Sequence, residues 1–205
     1  MERHDTRRGF VRGALASAVA AGVMAARGQP AAAGSLTGAS TDGELLEKLL
    51  GVEQAVMYAY RYLIGAVRPS GSAASTLRAF LGHELIHART LGDELARRGR
   101  RPPAPPRSAS AVDGVLMALG VNGRLEQIHG VEQALQLLVF VEWGEAGAYH
   151  DAIVKLADPA LVRLATQILT CEGQQSTVLI ELAHHGNVQR AVPHAFLPLV
   201  PELAA

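Results

Sequence analysis

The sequence predicts an all-α protein, an antiparallel four-helix bundle made of two helical hairpins joined by a long crossover. Three observations carry that expectation. Beyond the N-terminal region the apolar positions recur at intervals of three and four, as a helix with one buried face requires, and no stretch alternates with the period of a strand. Two short breaks, Pro69-Ser70-Gly71 and Asp158-Pro159, each divide a pair of long helical patterns. Between the pairs lies the Arg- and Pro-rich run 97–107, whose prolines cannot continue a helix and favour an extended chain.

Taken in order, residues 1–33 read as an export signal. Thr6-Arg7-Arg8-Gly9-Phe10-Val11-Arg12 forms a basic region, 13–26 an uncharged stretch, and Ala31-Ala32-Ala33 a small-residue cleavage site. The paired arginines followed by Gly-Phe-Val resemble the twin-arginine (Tat) signal. That resemblance implies the twin-arginine translocation machinery as a partner and export of a folded product to the periplasm or the exterior. A Sec signal that happens to contain Arg-Arg is the alternative. The apolar stretch is too short for a membrane anchor, and no other apolar run reaches the roughly 18 to 20 residues that span a bilayer, so no stable anchor is expected after cleavage.

After a linker at 34–42, the bundle is expected over 43–185. The first helix spans about Gly43 to Val67 and the second about Ser72 to Arg97. The crossover, about 98–123, contains a short helical turn near Val112–Leu119 before Gly120 and Gly123 interrupt it. The third helix begins between Arg124 and Gly130 and runs to Asp158. The fourth starts with Pro159 in its first turn, where a missing amide hydrogen costs nothing, and ends near His185-Gly186-Asn187. The proline-containing tail, 186–205, is expected to be irregular.

Composition narrows the function. Apolar residues make up 49% and charged residues 19% of the 205, which excludes disorder as a description of the whole chain. One cysteine excludes an internal disulfide framework and any cysteine-based zinc cluster. That residue, Cys171, falls inside the fourth helix and reads as an inert buried thiol. Nineteen basic and nineteen acidic residues cancel, which argues against a nucleic-acid binder. The cancellation hides a division: residues 1–33 hold five Arg and two acids (+3), leaving 14 basic against 17 acidic residues (−3) in the remaining 172.

Some of those acids fall on apolar stripes. Glu53 shares a helical face with Leu46, Leu49, Leu50, Val56, Met57, Tyr60 and Ile64. Glu84 lies with Leu77, Phe80, Leu81, His87, Leu91 and Leu95; Glu142 with Leu135, Leu138, Val139, Tyr149 and Ile153; Glu172 with Ala165, Ile168, Leu169, Gln175 and Leu179. Each long helix thus aims one mid-helix glutamate at the core, and a buried carboxylate must protonate, pair or bind a cation. The spacing repeats between the hairpins: 31 residues separate Glu53 from Glu84 and 30 separate Glu142 from Glu172, while Tyr60 and Tyr149 each follow their glutamate by seven. The string Gly-Val-Glu-Gln-Ala at 51–55 and 130–134 suggests a different register, which would break this symmetry, and reads as coincidence.

One glutamate from each of two helices, with Glu84-x-x-His87 on a third, resembles the ferritin-like di-metal carboxylate family over about residues 43–185. The resemblance implies iron or manganese, with Glu53 and Glu142 as terminal ligands, Glu84 and Glu172 as bridging ligands and His87 as an imidazole ligand. It also implies a possible oxidoreductase. The pattern departs from the family at Gln175, which stands where a second histidine is expected and is a poor ligand for either metal. Glu145, one turn after Glu142, either compensates with a second carboxylate or is an ordinary helix-face glutamate. Tyr60 and Tyr149 either hydrogen-bond a ligand carboxylate, or carry an oxidising equivalent, or simply fill the core.

Two further Glu-x-x-His pairs, Glu126/His129 and Glu181/His184, fall off the apolar stripes and read as solvated. Tyr58, Tyr62, Phe140 and Trp143 read as packing; His83, His150, His185 and His194 read as surface residues, and Arg97–Arg101 as a solvated cluster at a helix end. The leading expectation is an exported protein with a carboxylate-rich, non-haem iron or manganese site, intact or degenerate at Gln175, in oxidation chemistry or metal handling. The rival is a metal-free bundle serving as an envelope binding or stress-related protein, with Gln175 as its best support. A storage cage is a weaker third.

Overall fold

The computed structural model describes residues 41–184. The expected signal (1–33), most of the linker and the tail (186–205), with His185 and His194, lie outside the described residues. Four long helices form the bundle: α1 (Asp42–Val67), α2 (Gly71–Arg97), α4 (Val131–Ile153) and α5 (Pro159–Ala183). A short helix, α3 (Ala109–Ala118), and a 3-10 turn (Leu125–Gln127) occupy the crossover, and no strand occurs among the described residues. No described helix is long and apolar enough to cross a membrane.

Local chemistry sets the helix ends. Thr41 begins α1 with a capping box: its Oγ1 accepts from the Glu44 amide at 3.3 Å, and Glu44 Oε2 accepts from the Thr41 amide at 2.9 Å. Arg68 ends α1 in the left-handed region (φ 47°) just before Pro69, so the chain reverses into α2. Asp158 caps α5 by accepting from the Ala160 amide at 2.9 Å, with Pro159 in the first turn as expected. The short turn expected near 112–119 is α3, which starts earlier because Ser108 caps it by accepting from the Ala111 amide at 3.2 Å.

The third long helix stops sooner than its pattern suggests. After Ile153 the Ala152 carbonyl accepts from both Lys155 and Leu156, closing a turn. The Asp42 carboxylate then accepts from the Ala157 and Asp158 amides at 2.8 and 2.9 Å, supplying from α1 the acceptors that a continuing helix would have provided. Arg98 donates to Asp158 at 2.6 Å. The start of α1, the end of α2 and the α4–α5 turn therefore meet at one end, and α1/α2 and α4/α5 are antiparallel hairpins.

The crossover runs along α1. Arg100 donates to both Glu47 oxygens, at 2.7 and 3.0 Å, and the Gln54 side-chain amide donates to the Pro103 carbonyl at 3.2 Å. The arginine cluster is thus not merely solvated: Arg97, Arg98 and Arg100 each hold a carboxylate. Such pairs at the surface are worth about 0–1 kcal/mol each, so they fix the crossover's path more than its stability. Apolar burial supplies the stability, with Ala109, Val112 and Leu116 of α3 buried in the same cluster as Val52, Val56 and Leu63 of α1. Gly144 on α4 lets the crossover approach, since a Cβ there would come within 3.0 Å of both Leu119 Cβ and the Leu119 carbonyl oxygen.

The core divides into two apolar clusters. One gathers Val56, Leu63, Leu77, Phe80, Leu138 and Leu179 toward the α1–α2 turn, and the other Leu46, Leu49, Leu91, Leu95, Leu161 and Ile168 toward the opposite end. A layer of buried carboxylates lies between them.

Candidate metal centre

Glu53, Glu84, Glu142, Glu145 and Glu172 each have 0% of their surface exposed, and Gln175 has 1%. The four glutamates read as core-facing are all at this level, one per long helix, and His87 joins them with its side chain 11% exposed. Its Nδ1 lies 3.0 Å from Glu172 Oε1 and 3.8 Å from both Glu53 Oε2 and Glu84 Oε2.

Two overlapping donor groups result. Glu53, Glu84, His87 and Glu172 form one, and Glu142, Glu145 and Glu172 the other; within each, one ligand atom per residue lies within 4.8 Å of every other. Glu172 is common to both. Glu84, implied by the family resemblance as a second bridge, groups only with the imidazole side. One of its oxygens instead accepts a hydrogen bond from Gln175 Nε2 at 2.8 Å, and the same nitrogen donates to Glu172 Oε2 at 2.8 Å. At the expected second histidine position, then, a neutral amide spans two carboxylates.

The tyrosines cross between hairpins. Tyr60 on α1 donates to Glu142 on α4, and Tyr149 on α4 donates to Glu53 on α1. The seven-residue spacing shared by both hairpins places each hydroxyl two turns from its own helix's glutamate and against the other helix's. Tyr58 and Tyr62 stack at 6.3 Å, and Phe140 and Trp143 meet edge to face at 5.7 Å. Both pairs pack against the core, as read from sequence.

Burial without enough partners dominates the electrostatics. Both oxygens of Glu145 and one each of Glu53 and Glu84 are buried with no hydrogen-bond partner. Leaving so many buried polar atoms unsatisfied is costly unless protons or cations take them up. Desolvation, and then the charge of neighbouring carboxylates, pushes Glu53, Glu142 and Glu145 well above the usual carboxylate range. Glu172 rises to about 8 by the same two causes, held back by hydrogen bonds with Glu142 and Gln175. Burial works against a charged imidazole at His87. A hydrogen bond with Glu84 and the charges of Glu53, Glu84 and Glu142 outweigh it, so His87 is more basic than usual. Protons or a bound cation would each neutralise such a layer. Its donors are hard carboxylates with one borderline imidazole.

The off-stripe pairs stay apart from this layer. Glu126, His129 and Glu181 are exposed and His184 is half-buried. Glu132, from the repeated Gly-Val-Glu-Gln-Ala string, is exposed, so the repeat carries no ligand at its second copy. Glu145 is no ordinary helix-face glutamate: it lies three residues after Glu142 and four before Tyr149, on the inward stripe, and that spacing was the available signal. His83 is exposed, as read from sequence, while the buried reading of Cys171 changes. His83 packs against the Phe80 ring at 5.9 Å, and its Nδ1 is 3.9 Å from Cys171 Sγ, a thiol that is half-buried rather than sealed in the core.

Comparison with known proteins agrees with this architecture. A family model described as "Ferritin-like domain" matches residues 41–185. No curated protein sequence matches the chain. The crystal structure of a conserved hypothetical protein from Mycobacterium tuberculosis is similar, with a TM-score of 0.58 and 18% identity, covering 72% of this chain and 99% of that one. At that identity the likeness concerns the fold alone.

Proposed function

The chain belongs to the ferritin-like domain family, and on that premise we propose that it is an exported protein whose buried carboxylates hold iron or manganese for oxidation chemistry or metal handling. The observation that carries this reading is the set of unpartnered, fully buried carboxylate oxygens in two groups that share Glu172. Glu53, Glu84, His87 and Glu172 would hold one ion, and Glu142, Glu145 and Glu172 the other. Two divalent ions would offset four of the five carboxylate charges. Iron or manganese bound there would supply electron exchange with dioxygen or peroxide. Tyr60 and Tyr149 orient Glu142 and Glu53 through their hydroxyls, and the two apolar clusters keep bulk water from the layer.

Elemental analysis of the purified protein tests the proposal. After anaerobic loading with Fe(II) and gel filtration, about two ions per chain are expected, the complement of a two-metal carboxylate site. A value near zero for both iron and manganese defeats the reading. It would favour the competing one, a metal-free envelope binding or stress-related bundle, for which Gln175 speaks by supplying two hydrogen bonds where a ligand would stand.

Export rests on residues 1–33. A double Arg7→Lys/Arg8→Lys substitution is expected to leave the unprocessed chain in the cytoplasm, because the twin-arginine pair is the element read by that machinery. Cell fractionation measures this, and N-terminal sequencing of the exported form should begin at Gly34. Undiminished export of the double variant would instead mark the signal as Sec-type.

A further inference from the structure

Every glutamate of the buried layer is closed to solvent, and among its metal-ligand candidates His87 alone keeps some exposure, 11% of its side chain. His87 lies on α2 where that helix faces α5, so this seam is the layer's exposed edge. Of the bundle's four neighbouring helix pairs, the backbones of α2 and α5 come together over the shortest stretch. The seam's lining is not inert. His83, one turn before His87 on the same face of α2, is exposed, and its Nδ1 lies 3.9 Å from Cys171 Sγ on α5. Cys171 Sγ, His87 and Glu172 offer donor atoms that all lie within 4.8 Å of one another. Glu172 is fully buried, and its Oε1 lies 3.0 Å from His87 Nδ1.

We propose that Cys171, His87 and Glu172 form a third cation position, a way-station through which divalent ions enter the buried layer, with His83 at its mouth. The proposal rests on the metal reading above and extends it to the path of uptake. Glu172 is common to the station and to both buried groups, and His87 to the station and the first of them. An ion can thus move inward by exchanging Cys171 for Glu53 and Glu84 while keeping two ligands throughout. A thiolate, an imidazole and one carboxylate favour borderline ions such as Fe(II), Co(II) and Zn(II) over Mg(II) or Ca(II), which sets the selectivity at the opening. Binding releases the Cys171 thiol proton to solvent, and the sulfur takes one back when the ion moves on, so the station returns to its starting state.

Co(II) added to the metal-free protein in a stopped-flow spectrometer provides the test. In the unaltered protein a thiolate-to-cobalt charge-transfer band should rise and then decay as the buried positions fill. Cys171→Ser should abolish the band and slow filling by about tenfold, equivalent to about 1.4 kcal/mol on the uptake barrier, with the final cobalt content unchanged. His83→Ala should slow filling while leaving the band. Filling at the unaltered rate in Cys171→Ser, or a band that persists at full strength after loading, overturns the way-station and leaves the metal reading intact. A final cobalt content near zero in the unaltered protein overturns both.

Discussion

Glu172→Ala is expected to empty both metal positions, Glu145→Gln to remove one ion and Glu181→Ala to remove none. The difference follows from geometry. Glu172 is the one carboxylate common to both buried groups, Glu145 belongs only to the all-carboxylate group, and Glu181 lies exposed on the far side of the same helix. Glu84→Ala and His87→Ala should empty the imidazole-bearing position, since each removes one of its four donors. Gln175→His acts in the other direction. It deletes the amide that spans Glu84 and Glu172 and adds an imidazole three residues after Glu172, so occupancy of the second position should rise.

Metal content per chain after anaerobic Fe(II) loading reads all six variants. Retention of both ions by Glu172→Ala, or loss of one by Glu181→Ala, would refute the ligand assignment. Thermal melts of the metal-free forms separate lost ligands from lost folds. Removing a buried carboxylate from a repelling cluster relieves desolvation and like-charge cost, so metal-free Glu145→Gln should melt no lower than the unaltered protein.

How much of this was legible in sequence depended on the range of each interaction. Helix periodicity and proline breaks are local, and they located all four long helices and their inward glutamates. The start of α1 could have been read to the residue from Thr41-x-x-Glu44, a local capping box. The end of α4 could not, because Asp42, 115 residues away in sequence from Ala157, takes the amides that follow it. The tyrosine pairings likewise join residues 82 and 96 positions apart. Periodicity put Tyr60 and Tyr149 on the inward face, but only the packing of α1 against α4 determines that each serves the opposite helix's glutamate. Gln175 stood out as a missing ligand, and its role as a double donor depends on where α2 brings Glu84. Glu145 and Cys171 had weak local signals whose meaning came from neighbours on other helices.

The metal-free protein should lose stability as pH rises from about 4.5 toward 8, the reverse of ordinary acid denaturation. Glu172 is lifted from 4.5 to about 8, first by burial and then by the charge of Glu84. Glu53, Glu142 and Glu145 are lifted too, again by burial and then by neighbouring carboxylates. A group that binds its proton more tightly when folded stabilises the fold fully below its unfolded pKa. That contribution drains away as pH climbs through the folded value. His87, also raised, acts with the same sign from 6.5 upward. Glu47 and Asp158, held low by hydrogen bonds from Arg100 and Arg98, act with the opposite sign but only in more acid solution, and both are exposed to solvent screening. Cys171, pushed up to about 12 by burial and then by the charge of Glu172, and the two raised tyrosines lie beyond the window. Each carboxylate still protonated costs about 1.4 kcal/mol per pH unit across its range. Bound divalent ions invert the dependence, because they require the carboxylates ionised and stabilise the fold by mass action. Melting temperatures with chelator and with Mn(II) should therefore diverge steadily between about pH 5 and about pH 8. A metal-free melting temperature that stayed flat across that interval would mean that the layer is neutralised by something other than its own protons, and the exchange of protons for metal would lose its physical basis.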